Sequence, residues 1–523
     1  MIKHIVIVGG GSAGWLTAGT LAAAHSVNCE NPIKVSLIES PNIQSIGVGE
    51  GTWPSMRSTL DLMGITEHQF ISQCDVSFKQ GSKFVGWRAD DSKDVYYHPF
   101  ITPPGYEQTN LAAQWLGSNN GHSFADSVSI QSHLCDAGCA PKQISTPEFA
   151  GVANYGYHLD AAKFAQMLTQ HCIAQLKVTH IEDDVEQVIP HLNGDIRAVG
   201  TAQHGEIEGD LFIDCSGARS LLLGQHYKVP LMSQESVLFN NRALAVQVPY
   251  ENGHDEIASA TIATAQPSGW TWDIGLPTRR GVGFAYSADF IDDENASQTL
   301  LAHLAKSVSS SVIDKLQPRK IGFNPGYRQE FWVKNCLAIG MSAGFIEPLE
   351  ASALAMVELS GAMLRDDMPA DRQHMDFIAK RFNKRFRYRW ERVIEFLKLH
   401  YVLSQRNDSE YWRANRDVSG IPKRLQDLLA HWQYQMPSRL DFIENEEIFP
   451  SASYQYVLYG MGFETQVRKV GSDHNNHAMS QQLIGDNLLK KDKYIQALPS
   501  NRELLAHIAQ NWSQTHKLKE VMV

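Results

Sequence analysis

Gly9, Gly11 and Gly14 stand at G-x-G-x-x-G spacing, a pattern able to cradle a pyrophosphate. The first glycine permits a sharp turn, the second lets main chain approach the phosphates, and the third lets a helix pack closely on a strand. The N–H groups around Gly11, Ser12 and Ala13, at the start of that helix, would face the anion with the helix dipole behind them. Glu39, about 25 residues after Gly14, is spaced to bond an adenosine ribose 2′-OH. The ligand implied is a dinucleotide, FAD or NAD. The alternative is an ordinary glycine turn beside a solvated strand-end carboxylate. Asp214, in Leu211-Phe-Ile-Asp214-Cys-Ser-Gly217, ends a second apolar run in Asp-x-x-Gly, where phosphate or ribose could also be approached. Gly340 and Gly344 form a third glycine loop after Cys336-Leu-Ala-Ile.

These residues need strands that end in tight turns. Ile5 to Val8 is an apolar β-branched run, and the pattern through Trp15, Leu16, Ala18, Leu21 and Ala22 is helical. Lys34 to Glu39 reads as a second strand. Ile46 to Pro54 is a glycine-rich loop before a helix beginning near Ser55. Asp160 is placed to cap a helix from Ala161 to Leu176. Residues 177–213 alternate like a small sheet, and residues 101–150 read as an irregular insertion. Further strands are expected at Ala243–Val248, Trp270–Leu276 and Gly283–Tyr286, and helices at Ala296–Ser307, Ala351–Leu364 and Met375–Tyr401. The last of these is rich in Arg, Lys and aromatic residues and reads as a long helix with a solvated basic face. The rest of the chain is mostly helical and aromatic.

The 523 residues are 43% hydrophobic and 20% charged, enough to bury a large core. The net charge of −11 argues against a general nucleic-acid binder. No signal peptide and no apolar run of membrane-spanning length is expected. Seven scattered cysteines fit a reducing cytoplasm. Cys135 and Cys139 lack partners at zinc spacing, so no metal site is expected.

Three separated glycine motifs resemble the FAD-binding monooxygenase fold. Two further features narrow the likeness: Gly269-Trp270-Thr-Trp272-Asp-Ile274, and Phe78-Lys79-Gln-Gly-Ser-Lys83-Phe84 following Gly49-Glu50-Gly51-Thr52-Trp53-Pro54. With Glu347-Pro348-Leu349-Glu350-Ala351-Ser352 and Tyr155-Gly-Tyr157-His158-Leu-Asp160-Ala161, these strings resemble the flavin-dependent tryptophan halogenase family from residue 1 to about 465. The resemblance implies an α/β chain with a glutathione-reductase-type nucleotide fold, an inserted sheet and a mainly helical C-terminal lobe. Residues 1–370 would form the FAD-binding part, with substrate-side insertions at about 95–150 and 225–320. Residues 371–523 would cover the substrate.

The activity implied is that of an FADH₂-dependent halogenase. A separate NAD(P)H flavin reductase would supply the reduced flavin, since no second complete glycine loop of this type is present for NADH. Oxygen and chloride or bromide would give hypohalous acid at the flavin. Lys79 would carry or hydrogen-bond it, because an enclosed lysine shifts its pKa readily. Glu350 would orient Lys79 and take the ring proton. Gly49, Glu50, Gly51 and Leu349 would join the glycine loops in holding FAD. The amides of Ser352 and Ala353 would hold the halide, although Ala351-Ser352-Ala353 departs from the family's S-T-G. Trp270 and Trp272 would keep the organic substrate from the flavin, with Gly275 standing where the family has proline. His98 and Phe100 would flank an electron-rich ring, an indole or a phenol, and Tyr454 and Tyr456 lie in the region that closes over the substrate. A homodimer is compatible with this reading. An FAD-dependent aromatic monooxygenase and a non-halogenating flavin-binding protein are the alternatives.

Overall fold

Ile5, Val6, Ile7 and Val8 are buried on both faces of their strand, as expected of an apolar run at the centre of a parallel sheet. The computed structural model describes residues 1–27, 29–43, 49–118, 121–466 and 474–521. Ile46, Gly47 and Val48 of the expected flavin loop lie outside the described residues. The chain divides into two units. The first comprises Met1–Val76, Leu159–Glu235 and Phe323–Trp390; the second comprises Ser77–His158, Ser236–Gly322 and Glu391–Val523.

The first unit is built on a six-stranded sheet in the order Trp332–Val333, Cys336–Ala338, Leu211–Asp214, His4–Val8, Lys34–Glu39, Thr179–Glu182. All neighbours are parallel except the first pair. The helix Ser12–His25 is buried from Gly14 to Ala22, so it is apolar on every side. Asp160 caps the helix Ala161–Ala174, its Oδ1 accepting from the N–H groups of Ala162 at 3.0 Å and Lys163 at 3.1 Å.

The expected small sheet at 177–213 is divided. Its end strands Thr179–Glu182 and Leu211–Asp214 join the six-stranded sheet, and only Val185–Pro190, Ile196–Thr201 and Gly205–Glu208 form an antiparallel sheet of their own. Alternation identifies a strand but does not choose its partner.

The second unit holds a seven-stranded sheet in the order Arg319–Gly322, Arg242–Pro249, Arg279–Tyr286, Gly269–Gly275, Thr261–Gln266, Gly81–Val85, Val95–Pro99. The strand Thr261–Gln266 escapes the sequence reading because its small residues carry little apolar signal. It is also the strand that pairs in parallel with Gly81–Val85 and so joins the chain's N-terminal third to the later hairpins. Residues 101–150 are not wholly irregular. Short helices run at Leu111–Gly117, Phe124–Val128 and Gln131–Asp136, the first two capped by the side chains of Asn110 and Ser123. They are too short for periodicity to reveal, and the caps are their only sequence mark. The long helix Arg372–Val402 contains the boundary between the units. Among the described residues no helix is long and apolar enough to cross a membrane.

Candidate functional site

The first unit gathers the nucleotide residues at the carboxyl ends of adjacent parallel strands, where such sheets bind ligands. Gly9 has φ +119°, and a Cβ there would lie 2.1 Å from the Cys215 carbonyl oxygen. A Cβ on Gly14 would lie 1.9 Å from the Gly9 carbonyl oxygen, so the third glycine does allow helix and strand to touch. Gly11 is different, since a Cβ there meets nothing within 4 Å. Its lack of a side chain serves no packing contact, and the space beside it suits a phosphate. Gly10 stands beneath Glu39, whose Cδ would be 2.2 Å from an added Cβ. The Glu39 carboxylate accepts from Trp15 Nε1 at 3.3 Å and lies 3.1 Å from His180 Nε2.

Asp214 has its carboxylate turned inward. Oδ1 accepts from the N–H and hydroxyl of Ser216, and Oδ2 from the N–H groups of Leu222 at 2.9 Å and Leu223 at 2.8 Å. The side chain is wholly buried, so Asp214 shapes the loop that follows its strand. Gly340, at φ +73°, seats its turn against Ala13, where an added Cβ would meet the Ala13 Cβ at 2.8 Å. The three glycine motifs thus converge within one unit: Cys215 beside Gly9, and Gly340 beside Ala13.

Gly49–Gly51 forms a short strand, and burial pushes the Glu50 carboxyl up to about 7. Trp53, in the same loop, donates from Nε1 to the main-chain carbonyl of Glu350 at 2.8 Å. Glu350 and Ala351 both have left-handed backbone, with φ +64° and +54°, a conformation costly for residues with a Cβ. Leu349, Glu350 and Ser352 are buried and Ala353 is exposed. Ser352 and Ala353 begin the helix Ser352–Asp366, directly after the 3-10 turn Leu349–Ala351. On the next turns Glu358 accepts from Thr59 Oγ1 at 2.6 Å and Ser55 Oγ at 3.2 Å, and burial raises its carboxyl to about 7.

The second unit gathers Lys79, His98, Phe100 and Tyr456. Ser77–Lys79 pairs antiparallel with residues of the strand Gly156–Asp160, Ser77 opposite His158 and Lys79 opposite Gly156. The chain then passes through Gln80 into the strand Gly81–Val85. A Cβ on Gly81 would lie 2.4 Å from the His98 carbonyl oxygen, so this corner needs glycine. Lys79 is 1% exposed, and its Nζ lies 5.3 Å from the centre of the Phe100 ring. The Phe100 N–H donates to Gln80 O at 3.0 Å, which ties the two residues through main chain. His158 shares the Lys79 face of the ribbon, because opposed and alternate residues point the same way. Its Nε2 is 2.8 Å from Thr261 Oγ1. Burial, reinforced by the Lys79 charge, holds its pKa well below the ordinary histidine value, so the ring is neutral.

His98 lies against Phe396, Phe449 and Tyr456, with ring centres 5.4, 6.3 and 6.3 Å away. Tyr456 donates to Ile101 O at 3.0 Å. Tyr454 packs instead on Phe396, Trp432 and Phe442, one layer behind His98. Trp270 and Trp272 neighbour each other on the strand Gly269–Gly275, ring centres 6.1 Å apart, and Trp272 lies over Gly283. Gly275, which stands where the family string has proline, accepts from Ser77 Oγ through its main-chain carbonyl at 2.5 Å. Phe396 and Phe449, stacked 3.9 Å apart, are the aromatic members that sequence reasoning missed. Phe449 had one signal, its place directly before Pro450 and the helix Ser451–Gly460.

A sequence profile of the tryptophan halogenase family matches residues 4–476. The solved structure of a tryptophan halogenase from Shewanella frigidimarina superposes with a TM-score of 0.95 at 51% identity, covering 97% of this chain and 98% of that one. A 7-chloro-L-tryptophan 6-halogenase from Kutzneria sp. is 32% identical over 88% of this chain and 90% of its own length. A flavin-dependent halogenase from Brevundimonas sp. has a TM-score of 0.84 at 29% identity, covering 97% of this chain and 99% of that one.

Proposed function

The chain belongs to the tryptophan halogenase family, and on that premise we propose that it halogenates an electron-rich aromatic ring, indole- or tryptophan-like or phenolic, through Lys79. FAD fits the first unit: Gly9, Gly11, Ser12, Ala13 and Gly14 would cradle its pyrophosphate, and Glu39 would bond its ribose. The turn carrying Asp214, the Gly340 turn, Gly49–Gly51 and Leu349 line the remaining walls. Bound as FADH₂, delivered by a separate NAD(P)H flavin reductase, it supplies with O₂ the oxidising equivalents that turn chloride or bromide into hypohalous acid. The halide is held by the first-turn amides of Ser352 and Ala353, where the helix dipole favours an anion.

Lys79 holds the hypohalous acid and directs its halogen at the ring. Glu350 is the base that takes the ring proton. His98, Phe100 and Tyr456 flank the ring, with Phe396 and Phe449 behind His98 and Tyr454 in the layer beyond. Phe396, Phe449, Tyr454 and Tyr456, all from residues 371–523, would cover the substrate end. Trp270 and Trp272 separate substrate from flavin.

The observation that carries this reading is the enclosure of Lys79. A lysine 1% exposed, with its ammonium over Phe100 and its strand leading to that of His98, is a feature that hydroxylation at a flavin does not require. The test is Lys79→Ala, assayed with a flavin reductase, NADH, bromide or chloride, and a panel of indoles and phenols read by mass spectrometry. Hypohalous acid should still form, and halogenated product should fall by at least about 100-fold. A Lys79→Ala enzyme that halogenates like the native one would overturn the reading.

A further inference from the structure

The strand that carries Lys79 lies at the edge of its sheet, with a ladder on one side only. Antiparallel bonding alternates along a strand, so the middle residue, Phe78, needs partners for its N–H and C=O on the other side. Phe78 is fully buried, and leaving both groups unpaired would cost about 1 to 3 kcal/mol each. Among the described residues no strand supplies them. The carboxamide of Asn501 does: its Oδ1 accepts from Phe78 N at 3.4 Å and its Nδ2 donates to Phe78 O at 3.2 Å. One side chain thus replaces a neighbouring strand, 423 positions away in sequence. Asn501 is itself wholly buried, and its main-chain N–H donates to Gly138 O at 2.9 Å. Flanking bonds hold the segment in place, from Ala140 N to Pro499 O at 2.9 Å and from Arg502 to the carbonyls of Asp255 and Pro277. Asn501 opens the helix Asn501–Val521 and lies beyond residue 476, where the family match ends.

We propose that Asn501 is a positioning residue for Lys79: by pairing both peptide groups of Phe78 it fixes the strand from which the lysine projects, and so sets the aim of the halogen. This rests on the halogenase reading above. The hydrogen-bond partners of Asn501, namely Phe78, Ala258 and Gly138, are not residues assigned to the flavin. Loss of Asn501 should therefore leave hypohalous acid formation intact and misdirect its use. A displacement of about 1 Å at a reacting group costs on the order of 100-fold.

The experiment compares the native enzyme with Asn501→Ala and Asn501→Asp, and with Asn487→Ala as a control. Asp keeps the shape of the side chain and removes the donor to Phe78 O. Asn487 is a buried asparagine of the preceding helix whose side chain bonds Ser127 O at 3.2 Å. Each enzyme is supplied with reductase, NADH and bromide. Halogenated product and hypohalous acid captured by an added thiol are counted against FADH₂ consumed, alongside KM for the aromatic substrate and Tm. Both Asn501 variants should consume FADH₂ at the native rate and release more hypohalous acid. Product should form about 10- to 100-fold more slowly, with KM within about twofold. Asn487→Ala should keep native coupling. Native coupling in a folded Asn501→Asp, or equal uncoupling in Asn487→Ala, would overturn the proposal. A native enzyme that yields neither hypohalous acid nor product would instead refute the halogenase reading itself.

Discussion

The indole N–H of Trp53 donates to the main-chain carbonyl of Glu350 at 2.8 Å. The bond ties the Gly49–Pro54 loop to the turn in which Glu350 and Ala351 are both left-handed. Two consecutive non-glycine residues in that region persist only where their surroundings over-determine them, and Trp53 supplies one of the constraints. Trp53→Phe keeps an aromatic ring, though a smaller one, and removes the donor. The loss of one neutral hydrogen bond is worth about 1 kcal/mol. The turn leads directly into the amides assigned to the halide, so the bromide concentration for half-maximal product formation should rise about 5- to 10-fold. An unchanged bromide dependence would separate the turn from halide binding.

Gly11 and Gly14 should respond oppositely to the same substitution. Gly14→Ala drives a Cβ to 1.9 Å from the Gly9 carbonyl oxygen, so the fold itself should suffer, with a loss of several kcal/mol. Gly11 has φ −74° and open space around its Cα. Gly11→Ala should therefore keep the native Tm without flavin and weaken FAD binding by at least about tenfold. Calorimetric titration with FAD and a thermal melt of the unliganded protein measure both. Native FAD affinity in Gly11→Ala would mean the space is not the phosphate site.

Glu358 makes the stability of the first unit pH-dependent. Burial raises its carboxyl from 4.5 to about 7. The folded state then holds a proton that the unfolded state has lost. This stabilisation is complete below about pH 4.5 and disappears as pH rises through 7. Its size is on the order of 3 kcal/mol. Glu358→Gln keeps an acceptor for Thr59 and Ser55 and cannot ionise. Its Tm should exceed the native Tm at pH 8, and the difference should shrink towards pH 5. Parallel melting curves for the two proteins across that range would contradict the assignment.

Trp272 is held by the absence of a side chain on the next strand. A Cβ on Gly283 would lie 2.0 Å from Trp272 Cζ2, so Gly283→Ala must swing the indole aside. If Trp270 and Trp272 keep the substrate from the flavin, a hydroxylated product should become detectable by mass spectrometry beside a reduced yield of the halogenated one. A lower yield with no hydroxylated product would assign these rings to packing alone.

Local requirements made much of the site legible in sequence. Glycine spacing is a backbone constraint, and Gly9, Gly14 and Gly340 meet it by close approach or positive φ. Asp160 is legible as a cap because capping is settled within a few residues. Asp214 was legible as a strand-end acid, but its direction was not. Whether a carboxylate faces a ligand or its own loop depends on which N–H groups are nearby, here those of Leu222 and Leu223. Phe396 was invisible for a similar reason, since an aromatic residue in a helix looks the same whether it packs in a core or faces His98.

The sequence by itself determined the family, the strands that end in glycine turns and the lysine string Phe78–Phe84, because each is written in residues a few positions apart. Tertiary structure alone decided what surrounds Lys79. The Gln80–Gly81 corner, the neutral His158 on the same face and the Asn501 carboxamide on Phe78 come from segments separated by up to 423 positions. The physical reason is that a buried peptide group must find a partner wherever the folded chain supplies one, and sequence spacing carries no record of which residue that will be.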